Sequence, residues 1–224
     1  MLEEVLRRLC AEGPFDSARE RAVAIHDYVR DHIAFGFTLG FETVTPQQTL
    51  ACRRGHCNAQ GDVMRALLTA AGIRARLRFV RLDKRVLRQA VPAPVYRCLP
   101  SYLFHAVTQV EIDGGWQHAD SYLFPPSTFA RQQRRLAATG WAQGHGVHRA
   151  GRCDWRADGD AFAQANARDL APDDPVFDSL AAAMTARAGN NRLLGLHFNQ
   201  WLAAVPSPLR HTAERYLNSR LGGE

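Results

Sequence analysis

The chain is expected to be an α+β protein: helices packed on an antiparallel sheet, with a mostly helical extension at the C-terminal end. Three features predict this. Apolar residues between 57 and 71 recur at helical spacing, residues 73–82 and 101–120 alternate as strands do, and beyond about residue 125 most of the pattern is helical again.

Each element has a local reason. Leu2, Val5, Leu6 and Leu9 mark a short amphipathic helix that Gly13-Pro14 should end. Ser17-Ala18-Arg19-Glu20 is a capping box opening a second helix through about Ile33, with Val23, Ile25, Tyr28, Val29 and Ile33 as its apolar stripe. In the next helix Val63, Met64, Leu67, Leu68 and Ala71 keep helical spacing. Gly55 permits a tight entry and Gly72 a stop, which puts Cys57 in the first turn. Unpaired amide N–H groups and the positive dipole end collect there, and both favour a thiolate, the form of cysteine that attacks. Ile73, Ala75, Leu77 and Phe79 then alternate with Arg74, Arg76 and Arg78, the pattern of a half-buried strand with arginines on a solvated face. Residues 83–100, with Pro92, Pro94 and Pro100, read as an irregular loop rimming a cleft ahead of His105.

Residues 101–120 read as a β-hairpin around Asp113-Gly114-Gly115, Asp-Gly being a strong type I′ turn signal. With Asp113 and Gly114 as the loop, Ile112 pairs with Gly115 and Asp120 falls opposite Val107. Asp120 then shares a face with His105, its Cβ roughly 7 Å away. A Gly114-Gly115 loop would keep that face but move Asp120 opposite Gln109, and a three-residue loop would turn Asp120 over. The hairpin can thus hold a carboxylate beside an imidazole, the base and orienter of a nucleophilic site.

These pieces resemble the transglutaminase-like superfamily, distant relatives of papain-type cysteine proteases. The family runs approximately Gly-x-Cys, then a helix ending near Gly-Ile-Pro-Ala-Arg, then His-Ala-Trp, then Gly-x-Trp-x-x-x-Asp. Here they are Gly55-His56-Cys57, Gly72-Ile73-Arg74-Ala75-Arg76, His105-Ala106-Val107 and Gly114-Gly115-Trp116-Gln117-His118-Ala119-Asp120, a match over roughly residues 17–125. The resemblance implies a papain-like, transglutaminase-like catalytic core at 1–125 and a helical extension at 126–224 packed on it. It also implies Cys57 as nucleophile, His105 as general base and acid, and Asp120 as orienter, acting on a peptide or amide carbonyl through a thioester. The Cys57 N–H is the natural first oxyanion donor. Family members take a second from an upstream side chain, for which Gln47 and Gln48 are the candidates. Arg74 replaces the usual proline, Val107 the usual tryptophan and Ser121-Tyr122 the usual Pro-Thr, changes that bear on substrate preference. Water as acyl acceptor makes a protease or amidase and an amine makes a transglutaminase; with no calcium loop, hydrolysis is favoured. The alternative is a non-catalytic binding module that retains the fold, against which the intact Cys57, His105 and Asp120 set argues.

Composition fits such an enzyme. The chain has 224 residues, 46% hydrophobic and 22% charged, and no apolar run of membrane-spanning length. Its start, Met1-Leu2-Glu3-Glu4-Val5, does not read as a secretory signal, so a cytoplasmic location is expected. Five dispersed cysteines, Cys10, Cys52, Cys57, Cys98 and Cys153, fit reduced thiols. Cys52, His56 and Cys57, even with His145 or His148, lack a recognised zinc spacing, so neither metal nor cofactor is expected. The net charge is +6, with Lys84 the sole lysine. Arg74, Arg76, Arg78 and Arg81 lack the interleaved aromatics of a nucleic-acid platform, which leaves a basic rim favouring acidic substrates and no nucleic-acid or membrane partner. Farther along, Ser127–Ala138 reads as a helix, 140–160 is aperiodic, and 174–220 suggests three helices, with Asp174-Pro175 as a start, Gly189 as a stop and Val205–Pro208 as a break.

Overall fold

The first helices form where their caps and stripes agree. In the computed structural model, which describes residues 1–13, 15–186, 191–193 and 195–221, α1 (Leu2–Glu12) buries Val5 and Leu9. Pro14 lies outside the described residues. The Ser17 hydroxyl accepts the Glu20 N–H and opens α2 (Ala18–His32), which buries Ala22, Ile25, His26 and Val29, while Val23 and Tyr28 are half-buried at the margins of the stripe.

Two short parallel strands steer the chain to Cys57. β1 (Ala34–Phe35) is followed by α3 (Pro46–Cys52) and β2 (Arg54–Gly55), and the strands pair Ala34 with Arg54 and Phe35 with Gly55. A Cβ at Gly55 would stand 2.9 Å from Thr49 Cγ2 and 3.1 Å from Ala59 Cβ, so only glycine lets this entry close. α4 (Cys57–Ala70) starts immediately after it, with Val63, Met64, Leu67 and Leu68 fully buried. Gly61 brings α4 close to the sheet, since a Cβ there would meet Tyr122 Oη at 3.0 Å and Ala106 Cβ at 3.6 Å.

The sheet is antiparallel. β3 (Ala75–Asp83) pairs along its whole length with β4 (Tyr102–Ile112), and His105 faces Val80 across the ladder. Between them the expected loop is partly ordered, as a 3-10 turn at Lys84–Leu87 and a short helix α5 (Ala93–Cys98) with Pro94 in its first turn, where a proline loses no helical hydrogen bond. β5 (Gly115–Ala119) pairs back on β4, and α6 (Pro126–Thr139) follows. A two-residue hairpin, β6 (Gln143–Gly144) with β7 (Val147–His148), lies in the aperiodic stretch. β8 (Val176–Phe177) then adds to the far edge of β3, giving the order β5-β4-β3-β8.

Two expectations are corrected here. Asp174-Pro175 opens no helix: the free edge of β3 captures Val176–Phe177, and α7 (Leu180–Thr185) starts instead at Ser179, whose hydroxyl accepts the Ala182 N–H. Arg78 is not solvated. Its side chain is 15% exposed, bonded to Asp174 at 3.1 Å and to the Ala171 carbonyl, because the chain after residue 160 covers that face of the sheet. Val80, Val107 and Ala165, with Phe162 and Leu170, form the core of that face; Leu77, Phe79 and Ala106 pack on Leu180 and Ala183 on the other. β9 (Arg192–Leu193), β10 (Leu196–His197), α8 (Phe198–Ala204) and α9 (Ser207–Leu221) complete the described chain, the last two separated at the expected break. Gly189 lies outside the described residues. No helix among them is long and apolar enough to cross a membrane.

Candidate active site

Cys57 is the first residue of α4, after His56 at the N-cap, so its backbone N–H is one of the helix's unpaired donors. The thiol donates to Asn58 Oδ1 at 3.5 Å, and the same oxygen accepts the Ala106 N–H at 2.8 Å. Asn58 thus ties the start of α4 to the strand residue next to His105.

The hairpin takes the Asp113-Gly114 turn. Both residues have positive φ, 52° and 80°, as a type I′ turn requires, and Ile112 pairs with Gly115. The last ladder pair is Thr108 with Ala119, which sets Asp120 one step on, toward His105. His105 Nε2 and Asp120 Oδ2 are 2.7 Å apart, both fully buried. The Gly114-Gly115 alternative is therefore excluded.

Asp120 has further partners. Its carboxylate accepts the backbone N–H groups of Ala163, of Gln164 at 3.3 Å and of Ala165 at 2.8 Å. The strand end is clasped to the same segment, with the Asp120 N–H donating to the Ala161 carbonyl at 3.0 Å and the Ala161 N–H to the His118 carbonyl at 2.9 Å. Burial opposes a charged His105, but Cys57 and Asp120 outweigh it and push its pKa up to about 10. His105 Nδ1, the other ring nitrogen, has no hydrogen-bond partner among the described residues. His56 is the opposite case: burial, reinforced by His105, holds it down to about 3, so it is neutral, its ring stacked on Phe41 at 4.3 Å.

Three residues of this neighbourhood escape a reading of the sequence. Glu42, in a 3-10 turn at Phe41–Thr43, is 1% exposed, and its Oε1 accepts from Asn58 Nδ2 at 3.1 Å and Asn191 Nδ2 at 3.0 Å. Asn191 also pairs with the backbone of Phe104, accepting its N–H at 2.8 Å and donating to its carbonyl at 2.9 Å, in the manner of a neighbouring strand. Burial pushes Glu42 up to about 7 against those two hydrogen bonds. Asn58 had a signal, being the second residue of a helix headed by a candidate nucleophile; Glu42 and Asn191 had none. Gln47 and Gln48 are exposed, and Gln48 Oε1 accepts the Thr45 N–H in the cap of α3, so that side chain serves the helix start. Among the described residues, no group of three or more His, Cys, Asp or Glu side chains could hold a metal ion.

Comparison with curated proteins finds no match. Among solved structures, the chain is similar to "a Putative Cysteine Protease from Cytophaga hutchinsonii", at 18% identity and a TM-score of 0.41, over 56% of this chain and 39% of that one. The chain therefore spans well under half the length of that protein. The family model of the transglutaminase-like superfamily matches residues 7–121, a span that includes α4, the hairpin, Cys57, His105 and Asp120. That match takes in just over half of the sequence, and the chain belongs to the transglutaminase-like superfamily.

Proposed function

We propose that the protein is a cysteine-dependent hydrolase of peptide or carboxamide bonds, with Cys57, His105 and Asp120 as its catalytic groups. The observation that carries this reading is the 2.7 Å contact of His105 with a clamped Asp120, beside a thiol at a helix start. Cys57 Sγ attacks the carbonyl carbon, and the oxyanion that forms lies at the N–H-rich start of α4. His105 takes the thiol proton on Nδ1 and passes it to the leaving amine as the C–N bond breaks, giving a thioester. His105 then draws a proton from water, which attacks the thioester, releases the acid and restores the thiol. Asp120 fixes the ring through Nε2 and stabilises its cation. Residues 126–224 enter this reading by supplying the amides of 163–165 that hold Asp120 in place.

The test is labelling with small thiol-directed acyl and alkylating probes near neutral pH, read by mass spectrometry. Cys57 should be modified well ahead of Cys10, Cys52, Cys98 and Cys153, with a pH profile that shifts in His105→Ala. Cys10, Cys52 and Cys98 are exposed whereas Cys57 is half-buried, so accessibility alone would give the reverse order. Labelling of Cys57 no faster than the exposed thiols would sink the reading. Under high concentrations of an added amine, free acid should remain the main product; mostly amide product would replace hydrolysis by transfer.

A further inference from the structure

Beyond the cysteine–histidine pair lies a cavity of about 600 Å³ at the end of the sheet where β3 finishes and β4 begins. Arg81, Asp83 and Tyr102 come from the two strands, Arg88 and Trp141 close one side, and Asn166, Arg168 and Asp169 close the other. That last wall follows directly on the 163–165 amides that grip Asp120.

The charges in this cavity do not cancel. Asp83 is engaged by Arg85 at 2.8 Å. Asp169 caps the 3-10 turn at Ala167–Asp169 by accepting the Asn166 N–H at 2.9 Å, and burial pushes its carboxyl above the usual range. Arg81, Arg88 and Arg168 have no ion-pair partner among the described residues. Two of them lie over aromatic rings, Arg81 over Tyr102 at 4.7 Å and Arg88 over Trp141 at 4.5 Å. A guanidinium over a ring face keeps N–H groups available, and its fork can take a carboxylate with two parallel hydrogen bonds.

Position links the cavity to the reacting groups. Across the β3–β4 ladder Val80 faces His105, Arg81 faces Phe104 and Asp83 faces Tyr102, so Arg81, Asp83 and Tyr102 project from the face opposite His105. The cavity reaches the histidine's side at the sheet end through the wall of residues 166–169, which continues the segment packed on Val80 and Val107. At about 3.3 Å per residue, the Tyr102 end is roughly 10 Å from His105, a span that three residues of extended peptide cover. We propose that this cavity binds an acidic side chain of an extended peptide substrate, within about three residues of the amide that reacts at Cys57. Its role as a substrate subsite rests on the function proposed above; its affinity for acidic peptide does not, and the two can be tested apart.

The experiment uses the full chain carrying Cys57→Ala, so that binding is read without turnover, and two fluorescein-labelled ten-residue peptides that differ only in Glu against Gln. Fluorescence anisotropy should show the Glu peptide bound at least about tenfold more tightly. That preference should shrink as salt rises from about 50 to 500 mM. Adding Arg81→Gln and Arg168→Gln, both at exposed positions, should abolish it, whereas Arg7→Gln with Arg8→Gln, exposed on α1, removes the same charge and should leave it intact. Equal affinity for the two peptides, a preference that survives the double substitution, or tighter binding of a single-stranded RNA ten-mer than of the Glu peptide would overturn the inference. If Cys57 labels no faster than the exposed thiols while these binding results hold, the hydrolase reading fails and the acidic-peptide site stands.

Discussion

Two buried carboxylates flank the cysteine–histidine pair, Asp120 behind His105 and Glu42 behind Asn58, and their surroundings differ in kind. Asp120 accepts four hydrogen bonds, three from consecutive backbone amides and one from the imidazole, so both of its oxygens are served. Glu42 accepts two side-chain amide bonds on one oxygen, and its Oε2 has no partner among the described residues. Burying a charge is tolerated only when its lone pairs are met, and an acid left half-served keeps its proton instead. Asp120 is thus provided with the donors an ionised carboxylate needs, while Glu42, pushed up to about 7, is a neutral hydrogen-bonded group over much of the acidic range. Backbone donors give this provision without side-chain entropy loss, because the amides of 163–165 are already fixed by the fold.

The largest expected effect separates the two directly. Asp120→Asn puts a donor NH₂ where an acceptor oxygen now faces backbone N–H groups or the ring, and favours the wrong tautomer of His105. Activity on amide substrates should fall about 10²-fold or more, less than the roughly 10⁴-fold loss in a serine triad, because a thiol gives up its proton more readily than a hydroxyl and its chemistry depends less on the third group. Full activity in this variant would reduce Asp120 to a clasp between strand and loop. Inserting one glycine between Gly114 and Gly115 should cause a comparable loss by turning Asp120 to the opposite face of β5, and an active insertion variant would break the link between register and chemistry.

Glu42 should behave as a pH-dependent element of stability. Its folded pKa stands above the ordinary carboxylate value, so its favourable contribution is fully present below about 4.5 and is lost as pH rises through about 7. Glu42→Gln keeps an acceptor oxygen for Asn58 and Asn191 but cannot ionise. Relative to this variant, the parent should lose on the order of 3 kcal/mol of unfolding free energy between those pH values, measured by urea titration at each pH. Identical pH profiles would show that Glu42 is not buried as an acid. Asn191→Ala should have the smallest effect, about 1 to 2 kcal/mol, since it removes one donor to Glu42 and the side-chain pairing with Phe104. It should also move the Glu42-linked fall in stability to higher pH, because a hydrogen bond that favours the ionised form is gone; an unmoved or lowered midpoint would contradict the assigned role of Asn191.

The two carboxylates also differ in how far the amino-acid order announces them. Asp120 follows a turn whose type is written in Asp113-Gly114, and alternation along a strand carries the face assignment six residues from Gly114 to the carboxylate without reference to the rest of the molecule. Cys57 is similarly local, since Gly55, the apolar stripe and Gly72 bound its helix. Such arguments work because helix and hairpin geometry repeat over spans of a few residues. Glu42, Asn58 and Asn191 join through contacts 16 and 149 positions apart, and no period connects them. Where local signals competed, long-range pairing prevailed: the free edge of β3 drew Val176–Phe177 into a strand despite the helix-start signal of Asp174-Pro175, and the cover laid over the sheet buried Arg78 despite its alternation with apolar neighbours.

Composition, periodicity and turn chemistry therefore sufficed for the α+β class, the helix start at Cys57 and the face shared by His105 and Asp120, all properties of short stretches of backbone. The grip of residues 163–165 on Asp120, the protonation of Glu42 and the arginine-lined cavity arise only when segments distant in sequence bury one another. Hydrogen-bond satisfaction and desolvation are properties of an enclosed volume, and an enclosed volume exists only once the chain has folded.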